Sequence, residues 1–393
     1  MVKRTIRMYL LFGLLVNFGI SFIAATYAVF LISRGLNLFE VNLVNFFFFA
    51  TIFVWEIPTG AVADVFGRKI SFVISCFLLS ISLFIYAASY SFWGFALAET
   101  IAAIGQTFWS GAFQAWFVDK LKHHNYGGTL NSLFAREQQI KQGTGALGAM
   151  AGALLADKNI AFPWIAGGII VFVTGVLALI LMKEEYFVRK SFSLKREFQS
   201  VKDTIRISFG YGIKNETVRF IVLMGIVQWF AIMAANMQWQ PFFSQFLPNK
   251  TSLGFIFGGA AACCIIGATI SARFLRLLRS EKQSLVISQL IMGAGILLTT
   301  LFKNFPLALL MFLFHEAGRG LFRPIKDTYF NNNIPSKERA TLLSFDSMMC
   351  HMGGMAGLVF SGAMAEYVSI SAAWVSVGSI LIIITLLLAR HKK

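Results

Sequence analysis

Apolar runs of membrane-crossing length recur along the chain, separated by short polar breaks. They cover residues 8–33, 39–63, 70–90, 92–118, 130–156, 160–182, 218–246, 252–278, 284–302, 304–330, 340–366 and 368–389. A hydrocarbon core about 30 Å thick asks for about 20 such residues in a helix. None of the runs shows the period-two alternation of a membrane β-strand. Lipid tolerates only a backbone whose hydrogen bonds close within the segment. The pattern therefore predicts an all-α polytopic membrane protein with twelve transmembrane helices.

The runs fall six and six around the longest hydrophilic interval, 183–217. This predicts bundles over 1–182 and 218–393 joined by a cytoplasmic linker. Within the linker Leu194, Phe198, Val201 and Ile205 recur at helical spacing opposite the cations. They fit an amphipathic helix on the inner leaflet or a solvated connection equally well.

The two halves also repeat. Gly128-Thr-Leu-Asn-Ser-Leu133 answers Ala340-Thr-Leu-Leu-Ser-Phe345, 212 positions later. Gln114-Ala-Trp-Phe-Val-Asp119 answers Asp327-Thr-Tyr-Phe-Asn-Asn332 at an offset of 213. Gly267-Ala-Thr-Ile-Ser271-Ala-Arg273 is a worn copy of the segment that starts at Gly60, with Ser271 in place of Asp64. Parallel six-helix repeats of this kind imply a pseudo-symmetric pair of bundles. They also imply a solute site between the bundles near the midplane, opened to each side in turn.

Composition supports the membrane assignment, with 57% hydrophobic and 13% charged residues, where soluble domains carry about a quarter charged. The net charge of +16 would suit nucleic acid, but its placement argues for topology. Cations gather at Lys3, Arg4 and Arg7, at Arg68 and Lys69, at Lys120 and Lys122, and at Arg273, Arg276, Arg279 and Lys282. They recur at Lys326, Lys337 and Arg339, and at Arg390, Lys392 and Lys393. The alternate loops hold little beyond Arg34, Lys158, Lys250 and Lys303. By the positive-inside rule both termini are cytoplasmic, in a cell membrane (inner or plasma) whose anionic lipid faces the basic loops. No cleavable signal peptide is evident. The four cysteines lie in apolar runs without metal spacing, and no phosphate-binding glycine loop or enzyme-like cluster occurs. The reading therefore includes no cofactor, no metal, no nucleic acid and no catalysis.

One turn-sized segment carries the most specific signal: Gly60-Ala-Val-Ala-Asp64-Val-Phe-Gly67-Arg68-Lys69. It resembles the loop motif G-x-x-x-D-x-x-G-R-K of the major facilitator superfamily, although Val65 stands where that family usually has a cation. Glu56-Ile-Pro-Thr-Gly60, Ser110-Gly-Ala-Phe-Gln114, Glu316-Ala-Gly-Arg319-Gly320 and Ile334-Pro-Ser-Lys-Glu-Arg339 extend the resemblance. It is similar to proton-linked drug and metabolite exporters of bacteria. The resemblance implies a monomer with the superfamily's fold, and a conformational latch at Gly60, Asp64, Gly67, Arg68 and Lys69. It also implies a cavity lined by helices one, four, seven and ten, which carry Asn17, Tyr27, Gln106, Gln228, Trp229, Asn236 and Arg319. Aromatic walls with a few polar groups suit an amphipathic organic solute.

Ionisable side chains at membrane depth are costly and mark pathways or relays. Glu99, Glu316, His315, Arg136, Glu137 and Asp346 are the candidates for proton coupling. Each also has a structural alternative, a hydrogen bond or ion pair between helices. Glu316 and Arg319 are spaced to neutralise one another. Arg136 and Glu137 diverge on their helix, and Asp346 and His351 are placed to answer them from the other repeat. Gly148 and Gly152 give a G-x-x-x-G spacing, which lets helices approach closely. The expected function is a secondary active transporter working by alternating access, exporting a small organic solute in exchange for protons. A proton-coupled importer or uniporter is the alternative, followed by a non-transporting membrane sensor or scaffold.

Overall fold

The computed structural model describes residues 2–184, 215–334 and 339–390. The expected linker helix around Leu194–Ile205 lies outside them. All regular structure among the described residues is helical: α1 (Val2–Ser21), α2 (Tyr27–Ser33), α3 (Leu38–Phe66), α4 (Arg68–Ala88), α5 (Phe92–Trp109), α6 (Ala112–His123) and α7 (Leu130–Lys158). The series continues with α8 (Phe162–Leu181), α9 (Glu216–Ser244), α10 (Thr251–Leu278), α11 (Glu281–Thr299), α12 (Phe305–Asn333), α13 (Arg339–Tyr367) and α14 (Ile370–Arg390).

Nine of these, α3, α4 and α8–α14, are each long and apolar enough to cross a membrane. The other three expected spans differ for local reasons. The first is interrupted by a turn over residues 22–26, which separates α1 from α2. The fourth breaks between α5 and α6 at Gly111, whose φ of 79° lies in the left-handed region, where a side chain would be strained. The fifth is continuous as α7 but carries Arg136, Glu137 and Lys141 in its first half.

The chain resolves into two compact units. One takes in described residues 2–36, 47–184 and 247–257; the other takes in 37–46, 215–246, 258–334 and 339–390. The first unit pairs α1 with α7, α4 with α5 and α4 with α8. The second pairs α9 with α13, α11 with α12 and α11 with α14, which is the same pattern in the same order. The repeat read in the sequence is thus also a repeat of packing.

Glycines set the closest of these contacts. A Cβ on Gly148 or Gly152 would run into the backbone oxygens of Phe18 and Phe22. A Cβ on Gly353 or Gly357 would meet those of Ile226 and Phe230. Small residues let α7 lie against α1 and α13 against α9 at backbone contact, the main packing device available where lipid cancels the hydrophobic drive between helices. Inside the first unit Tyr9 stacks on Phe117 and Phe113 on Phe72, with ring centroids 3.9 and 4.2 Å apart. In the second, Phe220, Ile221, Leu285, Leu321, Ile325 and Phe345 form the core. Large apolar side chains such as Leu154, Ile180, Leu277 and Ile383 point outward, as a lipid-facing surface requires.

Candidate functional site

Glu99 lies on α5 and is 6% exposed. The Tyr86 hydroxyl donates a short hydrogen bond to Oε2, and the Tyr27 hydroxyl donates to Oε1 at 3.4 Å. The two phenols lie 3.2 Å from one another, and Trp164 stacks on Tyr86 at 4.2 Å. The carboxyl group therefore sits in an aromatic box with two hydroxyl partners. Ionised, it accepts from both. Protonated, it donates to one of them, which must then turn its own hydrogen away.

A second polar group occupies the same unit. The Tyr9 hydroxyl donates to Glu137 Oε2, and Lys141 pairs with Glu137 Oε1 at 2.6 Å, one turn along α7. Asn17 donates to the Lys141 carbonyl at 2.8 Å and to the Thr144 hydroxyl at 3.0 Å. Arg136 is exposed, so the divergence expected for neighbouring positions is what the helix shows.

At the loop motif, Gly67 takes φ 98° and starts α4. The free N–H groups of Arg68 and Lys69 each donate to Glu184 at 3.0 Å, as the unsatisfied donors of a helix start require. The Arg68 guanidinium pairs with Asp119 at the end of α6. Lys120 and Trp116 donate to the Lys183 carbonyl. The motif thus fastens the beginning of α4 to the ends of α6 and α8. Gly60 and Asp64 belong to α3, and beyond that they lie outside the described residues.

In the second unit α12 presents His315, Glu316 and Arg319. His315 is fully buried, and its Nδ1 donates to the Met292 carbonyl at 2.8 Å. That bond puts a hydrogen on Nδ1, so in the neutral ring the lone pair is on Nε2. Nε2 is buried without a hydrogen-bond partner and faces Glu316 Oε1 at 4.0 Å. Arg319 reaches the same carboxylate oxygen at 3.4 Å and the Asn236 side-chain oxygen, from α9, at 2.9 Å. Of the remaining cavity candidates, Gln228 is buried, Gln106 half-buried, and Trp229 meets His351 edge-on at 5.1 Å.

Asp346 pairs with Lys326 and His351 meets Trp229, both within the second unit. One expectation is corrected. Lys326, read as a loop cation, is 7% exposed on α12, because that helix continues to Asn333. Tyr86, Trp164 and Tyr9 were not singled out, since nothing local marks a phenol as a distant carboxylate's donor. Lys326 did carry a signal, a lysine inside an apolar run.

Residues 9–280 and 221–393 each match the family model described as the Major Facilitator Superfamily. The MFS-type transporter YxaM of Bacillus subtilis (strain 168) is 23% identical over 95% of this chain and 92% of its own. The multidrug resistance protein MdtG of Salmonella paratyphi B is 25% identical over 78% of this chain and 74% of its own. The crystal structure of the nucleoside transporter NupG superposes with a TM-score of 0.79 over 98% of this chain and 97% of that one, at 14% identity. The inward-open xylose transporter XylE from E. coli gives 0.71 over 100% and 97%, also at 14%.

Proposed function

Since the chain belongs to the Major Facilitator Superfamily, we propose that it is a proton-coupled exporter of a small organic molecule. Transport proceeds by alternating access in the cell membrane, with both termini in the cytoplasm. The observation that carries the coupling is the Glu99 box. A carboxyl group at membrane depth, held by two phenols against Trp164, is a group whose proton occupancy can be linked to the conformational equilibrium. Glu316 with the unshared lone pair of His315 is the matching station in the second unit. Arg319 and Asn236 provide polar contacts for a solute, and Trp229 an aromatic wall. The drug-resistance name of MdtG supports efflux over uptake.

The test uses everted membrane vesicles with an imposed pH gradient and a panel of lipophilic dyes and metabolites. Export coupled to protons dissipates the gradient when a transported solute is added, and Glu99→Gln abolishes that signal. Accumulation of the same solute by intact cells under an inward proton gradient would instead establish the importer. A Glu99→Gln variant as active as the parent would remove Glu99 from the mechanism.

A further inference from the structure

The middle of α12 presents two opposite charges whose bonding capacity is only half used. Arg319 is the central residue of this 29-residue helix, and Glu316 lies one turn before it. Both contacts of the guanidinium, to Asn236 Oδ1 at 2.9 Å and to Glu316 Oε1 at 3.4 Å, are made through Nη1. The edge formed by Nε and Nη2, a fork that fits a carboxylate, is free among the described residues, and 33% of the side chain is accessible. Glu316 meets His315 and Arg319 through Oε1 alone, which leaves Oε2 free on a side chain that keeps 8% of its surface accessible.

The backbone holds this pair in place. A Cβ on Gly318 would collide with the Met292 backbone nitrogen, and one on Gly320 with the Cys264 carbonyl. The helix therefore touches α11 and α10 on either side of Arg319, while Asn236 ties Nη1 to α9. The titratable groups beside Glu316 are His315 and Arg319 on its own helix and Cys263 and Cys264 on α10. α9 faces the pair with the Asn236 amide, and α11 faces it with the Met292 backbone.

With His315 neutral, Glu316 and Arg319 sum to no net charge. A solute anion or cation would leave one charge uncompensated at membrane depth, which is costly. A solute bearing both charges leaves none. An uncharged solute also adds none, but it meets two free charged edges with the weaker class of hydrogen bond. We propose that the site takes a zwitterion, an amino-acid-like molecule whose carboxylate lies on the Arg319 fork and whose ammonium lies on Glu316 Oε2. A proton on Glu316 removes the charge that the ammonium needs, so proton and solute exclude one another, as exchange across a membrane requires. The exchange rests on the coupled-exporter reading, but the binding of a zwitterion does not.

The full chain, purified in detergent, is screened for thermal stabilisation by amino acids of varied side chain and length, each beside its N-acetyl, methyl-ester and doubly blocked forms. At least one amino acid is expected to bind, and blocking either end is expected to weaken it by about tenfold or more. Arg319→Gln is expected to erase the discrimination against the ester, and Glu316→Gln the discrimination against the N-acetyl form, a split that a general loss of structure does not produce. If a variant fails to fold, the blocked forms on the parent chain decide alone. No stabilisation by any amino acid, equal binding of the doubly blocked form, or variants that weaken every form alike would overturn the proposal. Zwitterion binding without proton-driven transport would sustain the site and refute the exporter. Proton-driven export of dyes without zwitterion binding would sustain the exporter and refute the site.

Discussion

At the scale of single residues, the protein handles charge by giving the buried carboxyl groups among the described residues a named partner. Glu99 depends on phenols, Glu137 on a lysine and a phenol, Glu316 on an arginine and Asp346 on a lysine. Tyr86→Phe removes the shorter donor to Glu99 and leaves the ring stacked on Trp164. It is expected to lower gradient-driven flux by about tenfold, in the range typical of coupling energies, with binding of the solute little changed. Flux and binding measured on the same preparation check this. Asp157 behaves differently, being at the accessible end of α7. Burial alone would raise its pKa, but hydrogen bonds from the Thr251 hydroxyl and the Lys250 and Thr251 N–H groups, with the Lys250 charge, hold it below the ordinary carboxylate range. A lowered folded-state pKa stabilises above the unfolded value and loses that contribution as pH falls through the folded one. Asp157→Asn is therefore expected to cost a few tenths of a kcal/mol (about 0.2–0.5) at neutral pH, because the site is exposed to solvent, a gap that narrows below about pH 4. Melting temperatures across that range measure it.

Among the elements, helix starts and helix crossings carry the specificity. Asp157 caps the start of α10 within the first unit, and Glu366 accepts from the Leu38 N–H at the start of α3 within the second, at 2.8 Å. Each helix end thus presents a carboxylate to unsatisfied N–H groups, where the dipole favours negative charge. The crossings depend on missing side chains. Gly152→Val and Gly357→Val place a branched side chain against the Phe22 and Phe230 carbonyls. Overpacking of this kind costs about 1–3 kcal/mol. Both variants are expected to melt lower and to separate α7 from α1 or α13 from α9, whereas Gly143→Val, whose Cβ meets nothing, serves as the control.

For the whole molecule, the expectation is a multi-pass protein whose two ends share one compartment. A fluorescent protein fused after Lys393 should mature and fluoresce, and an alkaline phosphatase at the same place should stay inactive. The reverse result would invert the topology read from the basic loops. Solutes that bind the folded state raise its apparent stability by about 2.7 kcal/mol at a hundredfold excess over Kd. A thermal screen of the purified chain is therefore the direct route to the transported molecule.

Much of this was written in one dimension. Run length, the internal repeat and the loop motif follow from local hydropathy and spacing, because lipid imposes helices of fixed length and neighbouring residues set a turn. The i,i+3 pairing of Glu316 with Arg319 was legible for the same reason. What only the fold decided is which groups meet across helices: Tyr27 and Tyr86 around Glu99, Tyr9 on Glu137, Lys326 on Asp346. A helix in lipid is apolar on nearly every face, so its sequence says little about rotation. Rotation is set where glycines let backbones touch, and that choice determines which buried acid faces which donor.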